Sequence, residues 1–292
     1  MAGSRAVTLE PLPPDLRDQY LDYLGVDRRH RTSQPAPDLL AELHRAQLAR
    51  VPYENLEIQL GRATTIDPYE SAKRILTGRG GYCFHLNGAF AALLASLGYD
   101  VVLTRGAVPS AGEDGRWWGN HMVLIVRFGA DQWLADVGLG DGILDPLPLV
   151  DAVVEQPPFR YRLEHVNGSR WRFHHDEHAS IAGFDLDVTP VDLDAYGAMH
   201  AYLSADPQSS FVQKLVVQRR LADHALTLRG CVLTRVDALG KHQRDVLKED
   251  EWLALFDTAF GLRLDDVDAE AMRALWQRVR ASHEAWERVG RP

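Results

Sequence analysis

The chain has 292 residues, of which 46% are hydrophobic and 25% charged, with a formal net charge of −9. That length exceeds one compact core, so two or three domains are expected, and the negative charge argues against general nucleic-acid binding. Two cysteines far apart in sequence do not suggest a disulfide framework and fit a reducing compartment. Met1–Leu16 lacks the apolar core of a signal peptide, and the longest apolar runs, such as Met122–Val126, are too short to span a bilayer; a cytoplasmic protein is expected.

Up to about Gly98 the pattern is helical. Asp38–Arg50 carries Leu39, Leu40, Leu43 and Leu48, Pro68–Leu76 reads as a second helix, and a third follows Cys83. From Val101 to about Val191 strands and turns take over. The candidates are Val101–Val108, His121–Phe128, Gln132–Val137, Phe159–His165, Trp171–His175 and Ile181–Val188, with Asn167-Gly168 as a hairpin turn. Leu193–Leu203 reads as a connecting helix. Beyond Pro207 come strand-like runs at Lys214–Arg219 and Leu226–Val236, then helices at Asp250–Phe260 and Asp268–Arg288. The chain therefore divides into a helical domain (residues 1–98), a strand-rich domain (residues 99–191), a connecting helix and loop (residues 192–210) and a mixed α/β domain (residues 211–292), with no internal repeat.

The most informative stretch is Arg79-Gly80-Gly81-Tyr82-Cys83-Phe84-His85-Leu86-Asn87. Apolar residues at Leu86, Phe90, Leu93, Leu94 and Leu97 predict an amphipathic helix, which Gly98 stops. Cys83 then lies in or next to the first turn, where unpaired N–H groups and the helix dipole stabilise a thiolate. Gly80 and Gly81 are read as leaving room for another molecule to approach the sulfur, as a nucleophile requires. A buried structural cysteine is the alternative, since free cysteines are among the most buried residues.

Hairpin geometry supplies a second clue. A turn at Gly129-Ala130 would put His121 opposite Gly138 and Asp136 opposite Val123. Asp136 then sits diagonally across from His121 on the same face. A slip of one residue would separate them, so the inference depends on register. A histidine held by an aspartate is the base and orienter of a catalytic triad, and with a helix-start cysteine it suggests nucleophilic catalysis.

These residues resemble the arylamine N-acetyltransferase family. Arg79-Gly80-Gly81-Tyr82-Cys83 with Asn87 looks like its nucleophile motif, and Val51-Pro52-Tyr53-Glu54-Asn55-Leu56 resembles its Val-Pro-Phe-Glu-Asn-Leu motif. Asn120-His121 and Leu134-Ala135-Asp136-Val137-Gly138-Leu139-Gly140 resemble its His and Asp motifs. Tyr202-Leu203-Ser204 through Pro207-Gln208-Ser209-Ser210-Phe211 resembles the start of its third domain. The likeness runs from about residue 15 to about 260, with the motifs in the same order.

The resemblance implies an α+β, cysteine-protease-like transferase with a helical first domain, a central β-barrel and a C-terminal α/β lid. It implies a triad of Cys83, His121 and Asp136, with acetyl-CoA as co-substrate and no metal. The expected reaction is ping-pong acetyl transfer to an arylamine, hydrazine or N-hydroxyarylamine, a xenobiotic-metabolising activity. A membrane or nucleic-acid partner is not expected, and a homodimer is compatible with the sequence.

Around the pocket, the resemblance implies substrate contacts at Tyr53, where the family usually has Phe, at Leu139, where Phe is frequent, and at Phe211 beside the pantetheine arm. It also implies a buried ion pair between Glu54 and Arg79, whose disruption would cost about 3–5 kcal/mol. His85 is read as a helix-face residue. The phosphates of CoA require a basic surface, and residues 211–244 offer Lys214, Arg219, Arg220, Arg229, Arg235, Lys241 and Arg244 against only Asp223 and Asp237.

Three rivals remain. A metal site would draw on Cys83, His85, His121 and Asp136, or on His174, His175, Asp176 and His178, but neither spacing matches a standard zinc motif. A papain-like hydrolase would use the same triad chemistry. The nearest rival shares the family motifs: an amide synthase that closes a macrolactam from a carrier-bound polyketide.

Overall fold

Proline and glycine placement fixes the helices of the N-terminal third. α1 (Pro14–Leu24) starts on proline and stops at Gly25, whose φ is +69°. α2 (Pro37–Arg50) starts on proline as well. After the two-residue strand β1 (Tyr53–Glu54) and the short helix α3 (Leu56–Gln59), α4 (Pro68–Leu76) is capped by the Asp67 carboxylate, which accepts from the N–H groups of Tyr69 and Glu70. α5 spans Cys83–Ser96. The structure, a computed structural model, describes residues 9–109 and 118–290. Met1–Thr8, the first half of the stretch considered for a signal peptide, lie outside the described residues.

α5 differs from the amphipathic helix expected. It is buried on every face from Cys83 to Leu94. The helix carries no charged residue, and its small residues Gly88, Ala89, Ala91 and Ala92 let neighbours approach on the side a polar face would occupy. It forms the axis of an apolar cluster that gathers α1, α2 and α4 on one side and β2 (Asp100–Ala107) and β3 (His121–Phe128) on the other.

The strand-rich region continues with β4 (Asp131–Leu134), β5 (Leu147–Pro148), β6 (Ala152–Gln156), β7 (Phe159–Asn167), β8 (Arg170–His174) and β9 (Gly183–Pro190). With β2 and β3 they make one antiparallel sheet in the order β5-β4-β3-β2-β9-β8-β7-β6. The expected barrel is therefore a curled half-barrel, because this ladder ends at β5 and β6 without closing. The β7–β8 turn is at Gly168, with φ +48°.

A 3₁₀ turn at Leu193–Tyr196 leads into α6 (Gly197–Ala205) and α7 (Ser210–Gln213). β10 (Val216–Arg220), β11 (His224–Arg229), β12 (Val232–Asp237) and β13 (Gly240–Asp245) follow, then α8 (Glu249–Thr258) and α9 (Ala269–Arg288). The single run expected at Leu226–Val236 is two strands, because the chain turns at Gly230 with φ +60°. The second sheet takes its edge strand from the N-terminal third of the chain, in the order β1-β10-β11-β12-β13. Its apolar side packs on Trp252, Phe256, Leu275 and Trp276 of α8 and α9. Helices and two antiparallel sheets thus make an α+β fold. Among the described residues no helix is long and apolar enough to cross a membrane.

Side chains of the N-terminal third tie down residues 211–216. Asn55 Nδ2 donates to the carbonyls of Phe211 and Lys214 at 2.9 and 2.8 Å, and its Oδ1 accepts from Val216 N–H at 2.8 Å. Gln59 Nε2 donates to the carbonyls of Phe211 and Val212 at 2.7 and 3.0 Å.

The glycines before Cys83 are required by the protein's own packing. A Cβ on Gly80 would lie 1.9 Å from the Pro52 carbonyl oxygen, and one on Gly81 would lie 2.7 Å from His85 Cβ. Both glycines let β1 run against the loop, where Glu54 N–H donates to the Gly81 carbonyl at 2.9 Å. Gly80→Ala is expected to cost at least ~1–3 kcal/mol by overpacking. Gly197→Ala, whose Cβ meets nothing within 4 Å, should leave the Tm nearly unchanged. Thermal melts of the two variants check the contrast.

Candidate active site

Cys83 is the first residue of α5 and is 3% exposed. Tyr82 supplies no side-chain cap, so the first-turn N–H groups are not competed for by a capping oxygen. The Cys83 Sγ lies 3.7 Å from the Asn120 carbonyl oxygen, which brings the cysteine to the start of β3.

His121 is the first residue of β3. The β3–β4 hairpin turns through Gly129, with φ +63°, and pairs Phe128 with Asp131 and Ile125 with Leu134. Ala135 N–H extends the ladder to the Leu124 carbonyl at 3.0 Å. That register is the one the turn position implies, and it leaves Asp136 diagonal to His121. Asp136 Oδ2 lies 2.6 Å from His121 Nε2, and both side chains are 2% exposed.

The second carboxylate oxygen is also satisfied. Asp136 Oδ1 accepts from Asn87 Nδ2 at 2.7 Å and from Gly138 N–H at 2.8 Å. Asn87 Nδ2 donates as well to the Met122 carbonyl at 2.7 Å, and its Oδ1 accepts from Val137 N–H at 3.0 Å. Asn87 stands four residues after Cys83, so the cysteine and the clamp share one helix face. Gly138 closes the arrangement, since a Cβ there would lie 2.5 Å from Asn87 Nδ2 and 2.9 Å from Cys83 Cα.

Electrostatics follow from this burial. Loss of water pushes the His121 imidazole down, but the charge and hydrogen bond of Asp136, with a contribution from Cys83, outweigh it and raise the group to about 10. For Asp136, burial pushes up, and His121, Asn87 and Gly138 together hold it below its usual value. With Nε2 committed to Asp136, Nδ1 is the ring nitrogen left for Cys83. The group can hold an imidazolium beside a sulfur nucleophile.

A family model for N-acetyltransferases matches residues 38–269. The arylamine N-acetyltransferase / N-hydroxyarylamine O-acetyltransferase of Salmonella typhimurium is 33% identical over 265 residues, spanning 88% of this chain and 93% of that protein. The chain belongs to the arylamine N-acetyltransferase family. The structure of the Mycobacterium abscessus arylamine N-acetyltransferase superposes with a TM-score of 0.79 at 28% identity, covering 90% of this chain and 94% of that one. A partial relative is the proansamycin X synthase of Amycolatopsis mediterranei, 33% identical over 131 residues, which are 43% of this chain and 50% of that protein.

In this acyltransferase Tyr53, Tyr82 and Phe211 form one aromatic group. Tyr53 and Tyr82 each meet Phe211 edge-on, at ring separations of 6.4 and 5.3 Å. Burial, and next the neighbouring Cys83, push the Tyr53 hydroxyl well above its usual range. Leu139 instead packs on the apolar cluster of the half-barrel, although the adjacent Gly140 backbone lies against Tyr53.

The Glu54–Arg79 pair does not form. β1 is bridged to the loop, so the Glu54 carboxylate turns back to accept from Leu56 and Gly80 N–H at 2.5 and 3.2 Å. Arg79 points the other way, to Glu57 at 2.5 Å and Asp266 at 3.0 Å. The buried guanidinium that feels Glu54 is that of Arg74.

His85 is buried and not on an open helix face. Its ring meets Tyr82 at 4.5 Å, and burial with the nearby Arg74 and His200 pushes it well below the usual imidazole range. The Tyr82 hydroxyl hydrogen-bonds His200 Nδ1, whose ring reaches the Thr64 carbonyl through Nε2 at 2.8 Å. In the second alternative metal set each described histidine has its own hydrogen-bond partner. His174 pairs with Glu164, His175 with the Asp141 carbonyl and His178 with Asp176.

The basic segment divides in two. Arg219 and Arg220 turn inward onto the carbonyls of Ala49 and Pro157, Arg235 pairs with Asp237, and Arg244 pairs with Glu251. Lys214, Arg229 and Lys241 instead line a cleft of about 590 Å³ together with Arg278.

Because His121 is raised from 6.5 to about 10, its attraction to Asp136 stabilises the fold fully below about pH 6.5 and is lost as pH rises towards 10. The Tm difference between wild type and Asp136→Asn should therefore narrow from pH 6 to pH 10. A difference that widens over that range would contradict the charge assignment. Thermal melts at fixed ionic strength measure it.

Proposed function

We propose that this enzyme transfers an acetyl group from acetyl-CoA to the nitrogen of an arylamine, hydrazine or N-hydroxyarylamine through an acetyl-Cys83 intermediate. The observation that carries the reading is the buried His121, held by Asp136 on one nitrogen and turned to Cys83 with the other.

His121 takes the Cys83 proton, and the thiolate attacks the thioester carbonyl of acetyl-CoA. A tetrahedral oxyanion forms, for which the Cys83 backbone N–H at the start of α5 is a donor. Collapse breaks the bond to the CoA sulfur, and the imidazolium protonates that sulfur as it leaves. The acceptor nitrogen then attacks the acetyl-cysteine thioester, His121 removes its proton, and Cys83 is released. Asp136 fixes the ring tautomer and balances the imidazolium throughout.

Tyr53, Phe211 and Leu139 are assigned to the acceptor pocket and the pantetheine arm. The edge-on Tyr53–Phe211 contact supports the first two. For the CoA phosphates, the cleft carrying Lys214, Arg229 and Lys241 is the favoured surface. A cytoplasmic location fits this chemistry. Amide closure of a carrier-bound polyketide would use the same triad with another acyl donor. The partial extent of the synthase match, against the nearly full-length match to the Salmonella enzyme, favours acetyl-CoA.

Cys83→Ala should abolish acetyl transfer from acetyl-CoA to an arylamine with the fold intact. Asp136→Asn should lower kcat by at least ~10³-fold, the effect of losing the orienter in a triad. Turnover retained in the cysteine variant would remove the proposal.

A further inference from the structure

We propose that Asp245, His283 and Glu287 form a binding site for a divalent transition-metal ion of the zinc class, separate from the catalytic residues. Asp245 ends β13, and His283 and Glu287 stand four residues apart on one face of α9. Their ligand atoms all lie within 4.8 Å of one another. Among the described residues this is the one group in which three metal-type side chains converge so closely.

His283 supplies the independent sign. Its side chain is 3% exposed, and Nε2 has no hydrogen-bond partner. That nitrogen faces Asp245 Oδ2 at 3.9 Å and Glu287 Oε1 at 3.7 Å, too far for hydrogen bonds. Leaving a buried ring nitrogen unpaired is costly. The separations are instead close to those imposed by a shared ion. Ligand atoms about 2.0–2.2 Å from a tetrahedral zinc lie roughly 3.3–3.6 Å apart. Small rotations of the two carboxylates, which are 23% and 36% exposed, close the difference.

Donor chemistry narrows the ion. An imidazole between two carboxylates suits zinc and its first-row neighbours, whereas magnesium and calcium prefer all-oxygen shells. A bound ion would tie α9 to the last strand of the second sheet. It would also stiffen one wall of the 590 Å³ cleft, which His283 and Trp286 line.

The test uses the full untagged chain carrying Cys83→Ala, so that the active-site sulfur does not compete for metal. Zinc alone is added, the protein is gel-filtered, and metal content and thermal melts are measured. One zinc per chain and a Tm that rises with zinc concentration are expected. His283→Gln should weaken binding at least ~10-fold. Glu287→Gln, at a more exposed position, should weaken it too, and it decides the matter if the His283 variant does not fold. No retained zinc, or equal binding by the substituted proteins, would overturn the site.

Discussion

The buried carboxylate of Asp136 is the interaction on which the rest of the structure depends. An ionised carboxylate removed from water costs several kcal/mol unless charge and hydrogen bonds replace the lost hydration. Here they come from His121 at the start of β3, Asn87 on α5 and the N–H of Gly138 beyond β4. The same bonds that make the charge tolerable therefore dock the central helix onto the half-barrel. Stability and site geometry are one arrangement, and Cys83 is placed by it, one helical turn from Asn87.

That coupling explains why the helix is buried all round and why its flanking glycines are packed so tightly. Gly80 admits the Pro52 carbonyl, and Gly138 lies on the Cα of Cys83. The Asn55 and Gln59 side chains then hold residues 211–216, which lead into the second sheet, against the N-terminal third of the chain. The aromatic group of Tyr53, Tyr82 and Phe211 is assembled across the same junction.

Much of this was legible in the sequence because it rests on periodicity. Helical spacing put Cys83 at a helix start, and the turn at Gly129, with the register it implies, put Asp136 diagonal to His121. What was not legible depends on which way a side chain turns. Arg79 prefers Glu57 and Asp266 because β1 lies against the loop and directs Glu54 onto backbone N–H groups. Asn87 stood inside the nucleophile motif, and its spacing of four from Cys83 was the signal for its role as a clamp. Strand β13, Gly-Lys-His-Gln-Arg-Asp, has no apolar alternation, since it is a solvent-facing sheet edge. The basic run at 211–244 gave no hint that Arg219 and Arg220 would be spent on backbone carbonyls.

The central claim is that the Cys83 sulfur, activated by the His121–Asp136 pair, carries the acyl group. Intact-protein mass spectrometry after brief exposure to acetyl-CoA without an acceptor tests it most directly. The account predicts a single acetyl adduct on the wild type, none on Cys83→Ala, and discharge of the adduct when an arylamine is added. A folded wild-type protein that forms no adduct, or one whose adduct survives the Cys83 substitution, would contradict it.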